Sequence, residues 1–206
     1  MSNIPIMSTI PNHRGAVVTA LLAATFVAGV AVGQGALPPT YAQSPTAQDN
    51  AELARMYSED QSDRRDAEKI GWEKISQRDE ERKTRATELY RGDALKTGAD
   101  YYHAAMILQH GGEPEDYLLA HELSVVAIGK GEDRGRWLAA ASEDRFLMSI
   151  HRPQRFGTQY APDPPGTNSP IKLYKVDDGV TDGLRREFKA PTLAEARARE
   201  ARFNKK

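Results

Sequence analysis

Apolar positions recur with a helical period between residues 99 and 150 and divide that stretch into three segments. They read ADYYHAAMILQHGG, EPEDYLLAHELSVVAIGKG and EDRGRWLAAASEDRFLMSI, each closed by a glycine or a loop. In the first, Tyr101, Ala104, Ala105 and Leu108 fall at i, i+3, i+4 and i+7 on one face, with His103 and His110 on the opposite one. The second is apolar almost all round, apart from an edge at Glu115 and Glu122, and is expected to be the most buried helix. Pro114 stands near its start, where proline is tolerated. In the third, Trp137, Ala141 and Met148 define the stripe. The links are short and contain glycine, as antiparallel helical hairpins require.

The flanks have a different pattern. Residues 51–68 carry Leu53, Met56 and Tyr57 at helical spacing, and residues 72–90 carry Ile75 and Leu89 among many charges. Both predict exposed helices that pack by a narrow face, and the charge-dense stretch 77–85 is read as a solvated face. Residues 151–170 hold five prolines and two glycines, a loop of a length that is usually functional or disordered. Residues 171–176 alternate like a short strand ending at Asp177-Asp178-Gly179, and short helices are predicted over 181–188 and 192–203. The expectation is a mainly α single helical domain over residues 51–206, with antiparallel hairpins, a long Pro-rich loop and at most a short strand or hairpin.

Ahead of it, residues 15–33 form a nineteen-residue run without charge, preceded by His13 and Arg14. A positive flank, an apolar stretch and small residues make the pattern of a secretory signal, with a cleavage point after Ala42. The run also approaches the roughly 20 residues that span a bilayer. Residues 1–42 are therefore read as a signal peptide or an N-terminal membrane anchor, and residues 43–50 as a linker. Either reading exports the domain, to the periplasm or medium or tethered by residues 15–33. Membrane contact is expected only through this segment.

Composition narrows the chemistry. The 206 residues carry 28 basic and 29 acidic side chains, for a net charge of -1, so the basic excess of a nucleic-acid binder is missing. With no cysteine, disulfides, thiolate zinc sites and cysteine nucleophiles are excluded. His121 shares a helical face with Tyr117, Val125 and Ile128, as a core histidine or as a general base. His121-Glu122 begins like the zinc-protease helix motif, but Val125 stands where the second histidine belongs, so that reading is rejected. Asp144 falls in the Trp137 stripe and must find a partner there, in an ion pair, in a helix-to-loop hydrogen bond, or as a carboxylate orienting His121. Arg145 at the edge of that face can present a guanidinium to an anion. Gln154, Phe156, Gly157, Thr158 and Gln159 form the densest polar group of the loop, able to bind a ligand or to tie the loop to the helices.

Several short motifs occur together. They are Glu59-Asp60-Gln61 with Arg64; Ala104-Ala105 with Gln109-His110-Gly111; Ala120 to Leu123; Trp137 to Ala140 with Asp144-Arg145; Pro153 to Gln159; and Asp182 with Arg185-Arg186. Over roughly residues 50–200 they resemble a family of uncharacterised bacterial proteins defined as a domain of unknown function. That resemblance implies a grouping and no mechanism, and it directs attention to Gln109, His110, His121, Asp144, Arg145, Gln154 and Gln159 as a set. A weaker likeness is to tetratricopeptide-type helical hairpins, but only one such unit is visible.

Two functional readings follow. In the first, the domain is a non-catalytic cell-envelope binding or interaction module. Its partner is a protein or a small polar ligand, met by Gln109, Arg145, Gln154, Thr158 and Gln159. In the second it is a hydrolase with His121 or His110 as base, Asp144 as orienter, and Arg145 and Gln159 stabilising an anion. The second lacks a persuasive nucleophile, since Ser124 is expected inside a helix. A metal site from His103, His110 and His121 is the least favoured reading, and no cofactor is expected.

Overall fold

The computed structural model describes residues 47–163 and 169–204, so the leader, its cleavage point and the anchor reading lie outside the described residues. Among the described residues the order is α1 (Ala51–Arg65), α2 (Ala67–Ile70), α3 (Trp72–Arg91), α4 (Gly98–Leu108), α5 (Pro114–Gly129), α6 (Gly135–Ser149), β1 (Tyr160–Pro162), β2 (Ile171–Leu173), α7 (Asp182–Glu187) and α8 (Leu193–Phe203). The chain is mainly helical with one small antiparallel sheet, in which Tyr160 faces Leu173 and Pro162 faces Ile171.

Local chemistry fixes the helix starts. Asn50, at the end of the segment read as a linker, caps α1 by accepting from the Glu52 and Leu53 amides. Thr97 with Asp100, and Thr192 with Glu195, close capping boxes on α4 and α8. Asp100 is fully buried and also accepts from the Asn50 amide at 2.7 Å, which ties the entry to α1 to the start of α4. Burial alone would raise the Asp100 carboxyl, but the backbone donors of Thr97, Asn50 and Lys96 outweigh it and hold the pKa below the ordinary value.

The core gathers around α4. Ala104 through Leu108 are buried in succession and meet Leu53 and Met56 of α1, Ala86 and Leu89 of α3, Ala120, Leu123 and Ala127 of α5, and Leu138 of α6. The helix expected to be deepest, α5, is instead half open: Leu118, Val125 and Val126 face solvent, Val125 at 49% exposure. Its low polarity is shared between an inner face and a bare outer one, and α4 takes the central position. In α6 the buried run is Leu138 to Ser142 with Asp144, and Trp137 is left 37% exposed.

Two glycines permit this packing. A Cβ on Gly135 would lie 2.8 Å from the Ser124 carbonyl, and one on Gly98 would lie 2.9 Å from the Glu132 Cβ. A second small core of Ala140, Phe156, Val180 and Ala190, with Phe188 against it, joins α6 to the C-terminal third. Among the described residues no helix is long and apolar enough to cross a membrane.

Candidate functional site

Neighbouring residues of α6, Asp144 and Arg145, belong to two different polar centres. Asp144 is fully buried. Its Oδ1 accepts from the amides of Arg155 (2.7 Å) and Phe156 (2.9 Å), and its Oδ2 from the amide (3.0 Å) and hydroxyl (2.8 Å) of Thr158. The carboxylate is thus a clamp on the loop after α6. Of the roles open to it from sequence, the geometry is that of the helix-to-loop hydrogen bond; Asp144 does not orient His121.

The two glutamines complete the clamp. Gln154 Nε2 donates to the carbonyls of Gln159 and Tyr174 at 2.9 Å each, and its Oε1 accepts from the Gln159 amide at 2.8 Å. The Gln159 side chain donates to the Thr158 hydroxyl oxygen (2.9 Å) and the Ala141 carbonyl (3.4 Å). Arg185 of α7, itself buried, reaches the Val180 carbonyl (2.6 Å) and the Arg155 carbonyl (3.0 Å). Gln154, Thr158 and Gln159 therefore direct their hydrogen bonds to backbone, to one another and to the Asp144 carboxylate.

His121 lies apart from this group. Its Nδ1 is 2.9 Å from the Ala139 carbonyl, which pins α5 to α6, and no hydrogen bond among the described residues joins it to Asp144, His110 or Gln159. The Ser124 hydroxyl is buried and donates to the Ala120 carbonyl at 2.7 Å. His103 is buried and stacks on Tyr57, ring centres 4.5 Å apart. Among the described residues no three His, Asp or Glu side chains are placed to share a metal ion.

The other centre lies where α1, α3, the C-terminal end of α4 and α6 come together. Asp63 pairs with Arg78 (2.5 Å) and Arg82 (2.8 Å), Asp79 with Arg82 (2.6 Å) and Arg64 (2.9 Å), and Asp60 with Arg64 (2.7 Å). Asp60 and Asp63 are buried, as is Arg82. The stretch 77–85, expected to be a solvated face, is exposed over most of its length, but Arg82 is buried and with half-buried Arg78 and Asp79 joins Arg64 of α1 in the ion network. A signal was present in the spacing. Leu53, Met56, Asp60 and Asp63 continue one stripe of α1, and Ile75, Asp79, Arg82, Ala86 and Leu89 one stripe of α3. Charges at core-facing positions of a stripe mark a helix pair zipped by ions rather than by leucines.

His110 and Arg145 border this network, with Gln109 buried beside His110. His110 Nε2 lies 3.7 Å from Asp60 Oδ2, beyond hydrogen-bond reach, and has no hydrogen-bond partner among the described residues. Burial pushes the imidazole down to about 2, and the guanidiniums of Arg64, Arg145 and Arg82 act in the same direction. Burial also raises the Asp60 carboxyl above the usual carboxylate range, against the pull of Arg64, Gln61 and Arg82. Arg145 has its Nε sealed from solvent without an acceptor, and among the described residues it forms no ion pair. Its pKa is lowered, first by burial and further by the Arg64 guanidinium, with the Tyr117 phenol opposing. The Gln109 Oε1 is likewise buried without a donor.

The sequence-predicted residues thus divide: Asp144, Gln154, Thr158 and Gln159 form the loop clamp, His110 and Arg145 border the ion network of Asp60 and Arg64, and Gln109 gives its amide to the Met106 sulfur. No protein-family model matches the chain, no curated protein matches it, and no solved structure matches it.

Proposed function

We propose that residues 1–42 export this chain and that the helical domain acts in the periplasm or outside the cell, released or held by residues 15–33, as a non-catalytic binding module for a small polar ligand. The binding centre is the corner formed by Asp60, Arg64, His110 and Arg145. One observation carries this reading: half-buried Arg145 has its Nε sealed there without an acceptor, and none of its five donors is spent on the described residues. An unmatched group of this kind is costly in a purely structural role and useful in a binding one. The motifs that resemble an uncharacterised bacterial family add support. Glu59 to Arg64, Gln109 to Gly111 and Arg145 are distant in sequence, yet Asp60, Arg64, His110 and Arg145 gather at this corner.

The hydrolase alternative draws no support from the geometry. A histidine held at about 2 is too weak a base near neutral pH. The His121 Nδ1 is engaged by Ala139, and the Asp144 oxygens by the loop.

A thermal-shift screen of the full chain and Arg145→Met against charged and neutral small polar compounds tests the proposal. The variant is expected to be at least as stable as the parent without ligand, because it removes an unmatched buried group, and to lose the ligand-induced shift. Loss of more than about 2 kcal/mol in the unliganded variant, the scale of a broken buried pair, would assign Arg145 to the scaffold and end this reading.

A further inference from the structure

Charge counting at the α1–α3–α4–α6 corner narrows the ligand. Three carboxylates, Asp60, Asp63 and Asp79, are matched by three guanidiniums, Arg64, Arg78 and Arg82, through contacts of 2.5 to 2.9 Å. Arg145 is the fourth guanidinium, and among the described residues no carboxylate pairs with it. We infer that Arg145 is the binding group for a small carboxylate anion, held on its guanidinium beside the His110 imidazole.

Three features of the corner select that chemistry. One surplus positive charge is neutralised by a monoanion, whereas a dianion would leave a negative charge in a desolvated place. The planar guanidinium fork matches a carboxylate through two parallel N–H···O bonds. His110 is neutral, so it adds no second charge, and in the tautomer with its proton on Nε2 it offers one further donor from an atom that has no hydrogen-bond partner among the described residues. The ligand must also be small. The side chains of Arg64 and His110 that border the corner are only 20% and 17% exposed.

The inference rests on the binding-module reading, and its test separates the two. The full chain is titrated calorimetrically with sodium acetate and sodium propionate, with chloride and phosphate as controls at matched ionic strength. Arg145→Gln is expected to weaken carboxylate binding by about tenfold or more, the worth of a charge-assisted pair. Arg145→Lys should fall between the two, having charge but no fork. His110→Gln, which leaves the guanidinium in place, should weaken binding by a smaller factor and serves if Arg145→Gln does not fold.

Absence of any carboxylate binding by the parent chain overturns the inference, as does equal affinity in all variants. If phosphate or a neutral compound binds instead and depends on Arg145, the carboxylate assignment falls and the binding module stands. If nothing binds and Arg145→Met is strongly destabilised, both fall.

Discussion

Asp144 and Arg145 are adjacent on one helix and bury opposite charges, yet their surroundings differ in completeness. Around Asp144 every carboxylate lone pair that faces the loop meets a donor, and the glutamines that flank it are satisfied by backbone. Around Arg145 the neighbouring carboxylates already face guanidiniums, and sealed atoms of Arg145, His110, Asp60 and Arg82 lack hydrogen-bond partners, against the Arg185 Nε among the clamp's own groups. Desolvation costs are the same in kind at both centres. A closed set of hydrogen bonds offsets that cost within the fold, and an open set leaves it to be offset by something else. The first arrangement builds structure, and the second is where a ligand gains most by arriving.

The largest effect is expected at the closed centre. Asp144→Ala removes the acceptor for three backbone amides and a hydroxyl, leaving buried donors unpaired at roughly 1–3 kcal/mol each. Partial relaxation of the loop brings the expected loss to about 4 kcal/mol by urea denaturation. Asp144→Asn, which keeps one acceptor oxygen, should lose about half as much. Amide exchange at Phe156 and Thr158 should accelerate more than exchange in α1. A loss below about 1 kcal/mol, the worth of a single ordinary hydrogen bond, would remove the contrast between the centres.

The two centres were unequally legible in the sequence. Helices α4 to α6 follow from the period of their apolar residues and from Pro114 and the glycines, and each lies close to its expected span. The depth of α5 did not follow, because Val125 and Val126 look like core residues in any pattern, and only tertiary packing determines which side of an apolar helix is covered. Asp144 was legible as a carboxylate in need of a partner, since it interrupts an alanine-rich stripe. Its actual donors were not, because the loop amides of Arg155, Phe156 and Thr158 leave no trace in side-chain pattern. At the open centre His110 and Arg145 could be singled out, while Asp63, Asp79 and Arg82 were hidden in a run of charges. Opposite-charge pairing between two helices has no local signature beyond the stripe position of each residue.

A medium effect probes the open centre through pH. His110 titrates at about 2 in the folded chain against its ordinary value near 6.5. Between those values the unfolded chain binds the extra proton, so this residue's contribution to stability is present above about 6.5 and falls as the pH falls. From pH 6.5 to 5.5 the loss approaches about 1 kcal/mol. The raised carboxyl of Asp60 works the other way, at lower pH, because the folded chain then holds the proton more tightly. His110→Gln should flatten the urea midpoint between pH 7 and 5.5 relative to the parent chain. His103, whose burial also lowers its pKa, contributes the same slope to both and cancels in the difference. An unchanged slope in His110→Gln would mean that the imidazole is hydrated, and the open centre would lose its desolvated character.

The smallest effect tests whether the clamp works through backbone alone. Arg155 contributes its amide to Asp144 and its carbonyl to Arg185, both main-chain groups that survive truncation of the side chain. The guanidinium itself is exposed, and among the described residues it pairs with Glu143 at 3.3 Å. Exposed pairs of that kind contribute roughly 0–1 kcal/mol. Arg155→Ala should therefore lower stability by less than about 0.5 kcal/mol, and amide exchange at Phe156 and Thr158 should stay as slow as in the parent. Asp144→Ala and Arg155→Ala would then differ severalfold although both residues meet at one hydrogen bond, because only the first removes an atom from it. Comparable losses in the two variants would show that the loop is held by side-chain charge, and the clamp would have to be redrawn around Glu143 and Arg155.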